Sequence, residues 1–272
     1  MHIPGYVRLT IIGIFLIFIF SIAVIPAYAI NLKSVVGLWL LNDNKDAVAK
    51  DLSGNGHDGI IKGTKLDKGK FGNCLKFNGS GDFVSFGNAE ALNLGVFTVS
   101  FWAMFPAIQS WNHIVSKGSH VASGTPGSVN WGVMMYDQAA TFLFEVYTDT
   151  AWSGIVSPVV PLNEWQHLVA TYSGDKMEFF LNGASIGIVA TGVKIKLDAN
   201  RNFRIGGIAT AGANPDNYFN GSLDELALFN AVLTLDDIQA LMNKGITDTI
   251  KINPVEPAGK DATTWAEIKS RY

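Results

Sequence analysis

The chain has 272 residues, and its 20 Lys and Arg against 23 Asp and Glu give a net charge of −3 at neutral pH. This slightly acidic balance argues against a nucleic-acid partner, which would need a basic face. The single cysteine, Cys74, excludes an intrachain disulfide; a small buried apolar role is favoured, with a reactive or intermolecular thiol as the alternative. Abundant glycine, at 28 residues, with only 16% charged residues is typical of short strands joined by tight turns.

The first 29 residues carry the three parts of a secretory signal peptide. Arg8 supplies a positive flank, an apolar run covers residues 11–20, and the triplet Ala27-Tyr28-Ala29 ends the segment. We predict cleavage before Ile30 and a protein that is secreted or at the cell surface, with no membrane span in the mature chain. The alternative is an uncleaved membrane anchor, although the apolar run is shorter than the roughly 20 residues that a spanning helix needs.

Beyond this leader, short apolar or alternating stretches recur between Gly, Asn, Asp and Pro residues. Such spacing predicts the strands of an all-β protein. A dense group of turn-forming residues occupies 51–59. The predicted strands cover residues 37–41, 74–77, 83–86, 97–105, 113–116, 131–136, 141–147, 165–172, 176–181, 185–190, 203–206 and 223–229.

Two tight connections are recognisable between residues 165 and 190. Ser173-Gly174-Asp175 joins the strand that ends at Tyr172 to the strand that starts at Lys176. Asn182-Gly183 suits a type I′ turn, in which both central residues have positive φ. This stretch is therefore predicted to form a three-stranded meander.

One short helix is predicted near the C-terminus. Thr234 and Asp237 have the spacing of a capping box, which favours a helix that starts after Thr234. Lys244-Gly245 is a suitable helix end. The apolar stripe consists of Ile238, Leu241 and Met242.

The sequence changes character after residue 246. Residues 247–260 contain Pro254, Pro257 and Gly259 and no apolar periodicity, which predicts a linker. In residues 263–272, one or two helical turns would place Trp265, Ile268 and Tyr272 on one side. The predicted organisation is a signal peptide at 1–29, one domain at 30–246, and a linker with a short tail at 247–272.

The order of the segments resembles a laminin-G-like domain of the concanavalin A-like lectin/glucanase superfamily, and more distantly a pentraxin. This resemblance spans residues 35–246 and implies an antiparallel two-sheet jelly-roll sandwich with one short C-terminal helix. The segments that carry it are Trp39-Leu40-Leu41 with the turn at 51–59, then residues 75–84, 97–102, 114–118, 165–172, 180–183 and 219–230.

The acidic residues of this chain do not match the catalytic pattern of the enzymes that share the fold implied by the resemblance. Glucanases of this fold carry an E-x-D-x-E strand, whose acidic side chains share one face. Asp224 and Glu225 are adjacent and would point to opposite faces of a strand, while Glu145 and Glu178 stand alone. We expect no catalytic residues, although a pair from distant strands stays open as a non-standard glycoside hydrolase site.

Calcium is the ion expected of an exported jelly roll, because hard oxygen ligands suit it. The resemblance implies a structural calcium near the first and last strands, where the matching positions are Asn42, Asp43, Asp51 and Asp224. For Asp224 the alternative is a carboxylate that caps backbone N–H groups in the same turn. A pentraxin-type phosphocholine site is not expected, since only Asp216 and Asn217 lie in the matching stretch.

Polar and aromatic residues in predicted loops are candidates for ligand binding. Trp111 and Trp152 are flanked by polar residues, as sugar-stacking platforms are, and their alternative role is packing on the sandwich. The loop at 211–218 contributes Asn214, Asp216, Asn217 and Tyr218.

The first functional hypothesis is a secreted, non-catalytic recognition module that binds carbohydrate or a cell-surface or extracellular protein. The alternatives are a structural or adhesive protein that makes contact through its tail, and a glycoside hydrolase. The sequence leaves the ligand and the oligomeric state open.

Overall fold

The computed structural model describes residues 30–118, 129–148, 152–192, 194–208 and 217–251. They form sixteen strands, three short 3-10 helices (Leu32–Ser34, Lys45–Ala47 and Glu90–Leu92) and one α-helix, α1 (Leu235–Ile250). The strands are β1 (Val35–Trp39), β2 (Val48–Ala49), β3 (Gly59–Lys62), β4 (Lys65–Lys68), β5 (Asn73–Asn78), β6 (Phe83–Ser85), β7 (Phe97–Met104), β8 (His113–Gly118), β9 (Val129–Tyr136), β10 (Thr141–Tyr147), β11 (Trp152–Val156), β12 (Gln166–Tyr172), β13 (Lys176–Leu181), β14 (Ala184–Ala190), β15 (Phe203–Ile205) and β16 (Asn220–Phe229).

The strands form two antiparallel sheets. The first sheet has the order β14-β13-β12-β7-β16-β5-β4, and β1 also pairs with β16. The second sheet has the order β11-β10-β9-β8-β15-β6-β3-β2. The predicted all-β jelly-roll sandwich is confirmed.

The core lies between the inner faces of the sheets and is rich in aromatic side chains. Trp131 stacks on Phe97 at a centroid distance of 4.5 Å, and Trp39 lies 4.4 Å from Phe86. These aromatic pairs fill the space between the sheets without a disulfide. Cys74 is also buried, as a small apolar residue would be, and burial raises the pKa of its thiol to about 11.

The predicted meander is confirmed by antiparallel pairing of β12 with β13 and of β13 with β14. At its second turn Asn182 and Gly183 have φ values of 49° and 77°, as a type I′ turn requires. The sequence therefore identified both the strands and the turn chemistry here.

Helix α1 starts as predicted but extends further. The Thr234 side chain accepts a hydrogen bond from the Asp237 backbone N–H, and the Asp237 carboxylate accepts one from the Thr234 backbone. Gly245, at φ 74°, breaks the helix where its end was predicted, yet the chain continues in helical form to Ile250. Ile246 and Ile250 are buried, so apolar packing continues four residues into the predicted linker.

Part of the outer face of the first sheet is covered by α1. A second apolar cluster joins Ile238 and Leu241 of the helix to Val169, Phe180 and Phe229 of the sheet. The outer face of the second sheet has no such helix among the described residues.

The expectation that Asp224 and Glu225 point to opposite faces is wrong. The register of β16 shifts between Asp224 and Ala227, and Glu225 has a φ of 54°. This bulge interrupts the alternation, so Glu225 accepts a hydrogen bond from the Ile246 N–H of α1.

Two predicted segments lie outside the described residues, namely the leader at 1–29 and residues 252–272 of the tail. Within the part of the chain that the structure describes, no helix is both long and apolar enough to cross a membrane.

Candidate functional site

Trp111 and Trp152 are exposed at opposite ends of one surface, with 48% and 55% of their side chains accessible. Trp152 lies opposite Tyr147 of β10, and Trp111 packs edge-on against Tyr136 of β9 at a centroid distance of 5.1 Å. Tyr136 pairs with Thr141, so the two ends are six residues, or about 20 Å, apart along β10. We call this outer surface of the second sheet, with Trp111, Tyr136, Tyr147 and Trp152, the tryptophan face.

The prediction that Trp152 lies in a loop is wrong, because it is the first residue of β11. This strand is the edge of the second sheet, and most of its residues are exposed or half-buried. Gly154 interrupts the apolar alternation, so the sequence carries no clear strand signal there. The strand nevertheless fixes the backbone beneath the indole of Trp152.

Gly154 allows the indole of Trp152 to lie close to the sheet. A Cβ at position 154 would be 2.7 Å from Cζ3 of Trp152 and 2.7 Å from Cδ1 of Leu143. Both distances are too short for real contacts, so a larger residue would displace one of these side chains. Gly154 also pairs with Glu145 of β10.

Glu145 is a buried acid beneath this end of the face, with 3% of its surface exposed. The Tyr147 hydroxyl donates a hydrogen bond to its Oε2 at 3.2 Å, while Oε1 has no hydrogen-bond partner in the part of the chain that the structure describes. Burial raises the pKa of Glu145 to about 8 and also raises that of Tyr147. Glu145 is therefore largely protonated at neutral pH and holds Tyr147 beside Trp152 without adding a negative charge.

A row of small and polar residues crosses the sheet from Glu145. Its cross-strand neighbours are Gly132, then Ser116, then Arg204, about 14 Å away at three strand spacings. The guanidinium carbon of Arg204 lies 4.4 Å from the centroid of the Phe83 ring. No bulky side chain separates Glu145 from Arg204 along this row.

The Trp111 end is held by a tight backbone arrangement. Trp111 has a φ of 63°, and its N–H donates to the Met135 carbonyl at 3.0 Å. The Met135 N–H donates to the Asn112 carbonyl at 2.9 Å, and the Ser110 hydroxyl donates to the Asp137 carbonyl at 2.6 Å. A non-glycine residue with positive φ needs such support, so the position of this tryptophan is defined.

Asn217 and Tyr218 lie at the same end. The His113 N–H donates to the Asn217 carbonyl at 3.1 Å, and the Asn112 amide donates to the Tyr218 carbonyl. These two predicted ligand-binding residues are thus near Trp111 and distant from Trp152. The other two, Asn214 and Asp216, lie outside the described residues.

Asp51, a predicted calcium ligand, uses both carboxylate oxygens within its own turn. Oδ1 accepts from the Leu38 and Ser53 N–H groups at 3.1 and 2.9 Å. Oδ2 accepts from the His57 N–H and the Ser53 hydroxyl, both at 2.9 Å. These bonds tie the turn at 51–59 to β1 and explain why an aspartate stands here.

The other predicted calcium ligands, Asn42, Asp43 and Asp224, form hydrogen bonds with groups other than those that bind Asp51. Asp224 is fully buried, and its Oδ2 accepts from the Lys70 and Phe71 N–H groups at 2.8 and 2.9 Å. The Asn42 side chain accepts a hydrogen bond from the N–H of Asn73, the first residue of β5, and the Asp43 carboxylate accepts one from the Lys45 N–H. Asp224 therefore caps backbone N–H groups, as the alternative held, but those of residues 70 and 71 and not those of its own turn. The described residues contain no group of three His, Cys, Asp or Glu that could hold a metal.

A family model for the concanavalin A-like lectin/glucanases superfamily matches residues 78–239. The chain belongs to this superfamily. No curated protein matches its sequence.

Solved structures share the superfamily fold. The binding domain of Paraclostridial mosquitocidal protein 1 is 17% identical with a TM-score of 0.60; the match covers 78% of this chain and 52% of that one. Domain 4 of an extracellular arabinanase from Geobacillus stearothermophilus, in complex with arabinotriose, is 16% identical with a TM-score of 0.58, over 77% and 98% of the two chains. A Trypanosoma rangeli sialidase mutant with trans-sialidase activity is 20% identical with a TM-score of 0.60, over 82% and 34%. The chain thus spans about half of the first protein and a third of the third, and at these identities the likeness concerns the fold.

The sequence pointed to Trp111 and Trp152 as candidate binding residues. It did not point to Glu145, Tyr147 and Gly154, the residues beside Trp152. Glu145 is visible in the sequence as an isolated acid, and its partner Tyr147 is two residues away on the same strand face. The alternation of β10 could have revealed that pair. Nothing local in the sequence shows that Gly154 lies opposite Glu145, because this depends on the pairing register.

Proposed function

We propose that the protein is an exported, non-catalytic domain that recognises carbohydrate through its tryptophan face. The observation that carries this proposal is the pair of exposed, well-supported indoles at the two ends of one sheet surface, which are about 20 Å apart along β10. Isolated exposed apolar residues are common, but two large aromatic rings exposed on one sheet surface are a feature of binding sites.

The arrangement suits a sugar chain. The apolar face of a sugar ring packs on an indole, which supplies a rigid contact area at low entropic cost. The Tyr147 hydroxyl offers a hydrogen-bonding group next to Trp152, and Glu145 orients it. The distance to Trp111 favours an extended oligosaccharide over a monosaccharide.

The structural relatives support a binding role. One is the binding domain of a toxin, and another is an arabinanase domain seen with arabinotriose. Their likeness to this chain is one of fold, so the ligand is left to experiment.

A glycan array that includes arabinotriose tests the proposal, followed by calorimetric titration of any ligand found. We expect Trp152→Ala to weaken binding by about 2 kcal/mol, or roughly 30-fold, and Trp111→Ala to weaken binding of the longer ligands. Ile188→Ala is the matched control, because Ile188 is 55% exposed on the first sheet. Absence of glycan binding, or equal affinities for wild type and Trp152→Ala, would contradict the proposal.

A glycoside hydrolase is the second candidate, favoured by the protonated Glu145 and by the sialidase among the structural relatives. Glycoside hydrolysis generally needs two carboxyl groups about 5–9.5 Å apart. In the sixteen described strands, Glu145 is the only acidic residue of the second sheet. We therefore propose no turnover; sustained hydrolysis of a β-glucan or arabinan that Glu145→Gln abolishes would reverse this assignment.

Calcium binding stays a prediction from the family resemblance. If Asp224 is a calcium ligand, calcium should raise the melting temperature of the wild type, and Asp224→Ala should remove this increase. In the turn-capping interpretation, Asp224→Ala lowers stability equally with calcium and with a chelator. Thermal melts of both proteins in calcium and in EDTA separate the two interpretations.

We also propose that the leader directs export and is removed before Ile30, on the basis of the small-x-small triplet at residues 27–29. The intact mass of the protein recovered from the culture medium tests this. A membrane-bound product that retains Met1 would instead support an anchor.

A further inference from the structure

A cleft of about 560 Å³ opens on the outer face of the first sheet, on the side of the sandwich opposite the tryptophan face. This volume lies within the range of small-ligand sites. Its lining comes from the turn after β4, the end of β7, the start of β12, the β13–β14 turn and α1. Five separate segments thus converge on one concave surface.

The cleft combines a cation with an aromatic surface. Lys70 Nζ lies 4.2 Å from the centroid of the Trp102 ring, within cation–π distance. No carboxylate of the described residues forms an ion pair with Lys70. The rings of Phe71 and Trp165 also line the cleft. A positive charge among aromatic rings is suited to a ligand that has both an anionic group and an apolar surface.

Polar atoms without partners lie in a row across the sheet at this point. Asp224, Trp102 and His167 are cross-strand neighbours on β16, β7 and β12. Each carries one buried polar atom that has no hydrogen-bond partner among the described residues, namely Asp224 Oδ1, Trp102 Nε1 and His167 Nδ1. Such atoms are rare in folded proteins; Trp102 lines the cleft, and Asp224 and His167 are buried on either side of it in the sheet. Asp224 also fixes one wall, since its Oδ2 holds the Lys70 and Phe71 N–H groups.

The remaining polar groups in the cleft are suited to hydroxyls. Glu164 presents a carboxylate, which accepts hydrogen bonds, and Gln166 and Asn182 present amides. The Asn182 amide donates to Gln166 Oε1 at 2.8 Å, and Asn182 Oδ1 accepts from the His167 N–H at 2.9 Å, so both amides are oriented. A ligand that fits has a carboxylate for Lys70, hydroxyls for Glu164 and the amides, and a ring face for the aromatic residues.

We propose that this cleft is a second binding site and that it takes an acidic saccharide. The carboxylate of the sugar binds the Lys70 ammonium, its hydroxyls bind Glu164 and the Gln166–Asn182 pair, and its ring packs on Trp165. The site is independent of the tryptophan face, so the protein would bind ligands on both sides of the sandwich.

Calorimetric titration with a trigalacturonate, and with the same trimer after reduction of its carboxyls to alcohols, tests the proposal. We expect the acidic trimer to bind wild type and the reduced trimer to bind at least about tenfold more weakly. Lys70→Gln and Trp165→Ala should each weaken binding of the acidic trimer by a similar factor. Lys176→Gln, at an exposed position at the start of β13, is the matched control and should bind as wild type.

Trp152→Ala separates this proposal from the tryptophan-face proposal, because it should leave binding of trigalacturonate unchanged. Loss of binding in Trp152→Ala with full binding in Lys70→Gln would overturn the cleft assignment and support the other face. Equal binding of the acidic and reduced trimers would overturn the acidic specificity. No binding of trigalacturonate to wild type would overturn the proposal as a whole.

Discussion

Burial of Glu145 is the residue-scale feature with the clearest chemical consequence. Its buried carboxyl accepts a hydrogen bond from Tyr147, and its other oxygen has no partner within the described ranges, so the protein favours the neutral form. The same physical cause raises the pKa of Asp224 and of Glu225 to about 7. All three acids therefore bind protons more tightly in the folded than in the unfolded state.

This difference predicts how stability depends on pH. A pKa raised from 4.5 to about 8 makes the contribution of Glu145 complete below about pH 4.5, and the contribution is lost as pH rises through 8. Glu145→Gln removes this titration. We expect the stability of wild type relative to Glu145→Gln to be greater at pH 5 than at pH 8 by more than about 1.4 kcal/mol, the value of one pKa unit. Urea denaturation of both proteins at the two pH values measures this, and a pH-independent difference would show that Glu145 does not titrate as described.

Gly154→Ala tests the support of Trp152. The added methyl group would meet the indole and Leu143 at 2.7 Å, so we expect a loss of about 1–3 kcal/mol in stability and weaker glycan binding. Gly95→Ala is the matched control, since a Cβ there would contact only Leu197 at 3.7 Å. Equal melting temperatures for both variants would mean that the indole is free to move.

At the scale of elements, the strands that the sequence did not predict are β2, β3, β4 and β11, and three of these four lie at sheet edges. β4 is Lys-Leu-Asp-Lys and is exposed throughout, while β2 has two residues and β11 contains Gly154. Such strands bury too little apolar surface to show periodicity, so their pairing depends on neighbours distant in sequence. The other strands, including the edge strand β14, were predicted to within a few residues.

Two C-terminal truncations, one of the tail and one that includes the second part of α1, give an element-scale prediction. Removal of residues 254–272 should leave the domain folded, because residues 254–260 show no apolar periodicity and the apolar side of Trp265, Ile268 and Tyr272 is too short to form a stable helix alone. Truncation after Gly245 also removes Ile246 and Ile250, which are buried, and should cost more than about 3 kcal/mol. Thermal and urea unfolding of both truncated proteins measures the difference. If removal of residues 254–272 alone lowers stability by more than about 3 kcal/mol, the tail belongs to the core. If this removal leaves the domain folded but abolishes surface attachment, the result supports the adhesive alternative.

At the scale of the whole molecule, the fold was predictable because it depends on many locally encoded features. Alternating strands, the Asn182-Gly183 turn and the Thr234 cap each point to the same sandwich. The sites were predictable only in part. Exposure of Trp111 and Trp152 follows from their polar neighbours, whereas the cleft needs Lys70, Trp102 and Glu164, which are far apart in sequence and meet only after the sheet forms.

Chemical-shift mapping of the tryptophan indole N–H groups tests the central claim most directly, because the chain has only seven tryptophans. Alanine variants assign the signals, and the oligosaccharide selected on the array is then added to the labelled protein. The proposal predicts that the Trp152 and Trp111 signals shift with a common dissociation constant while those of buried Trp39 and Trp131 do not. Shifts confined to Trp102 and Trp165, or no shift at any indole, would contradict carbohydrate recognition by the tryptophan face.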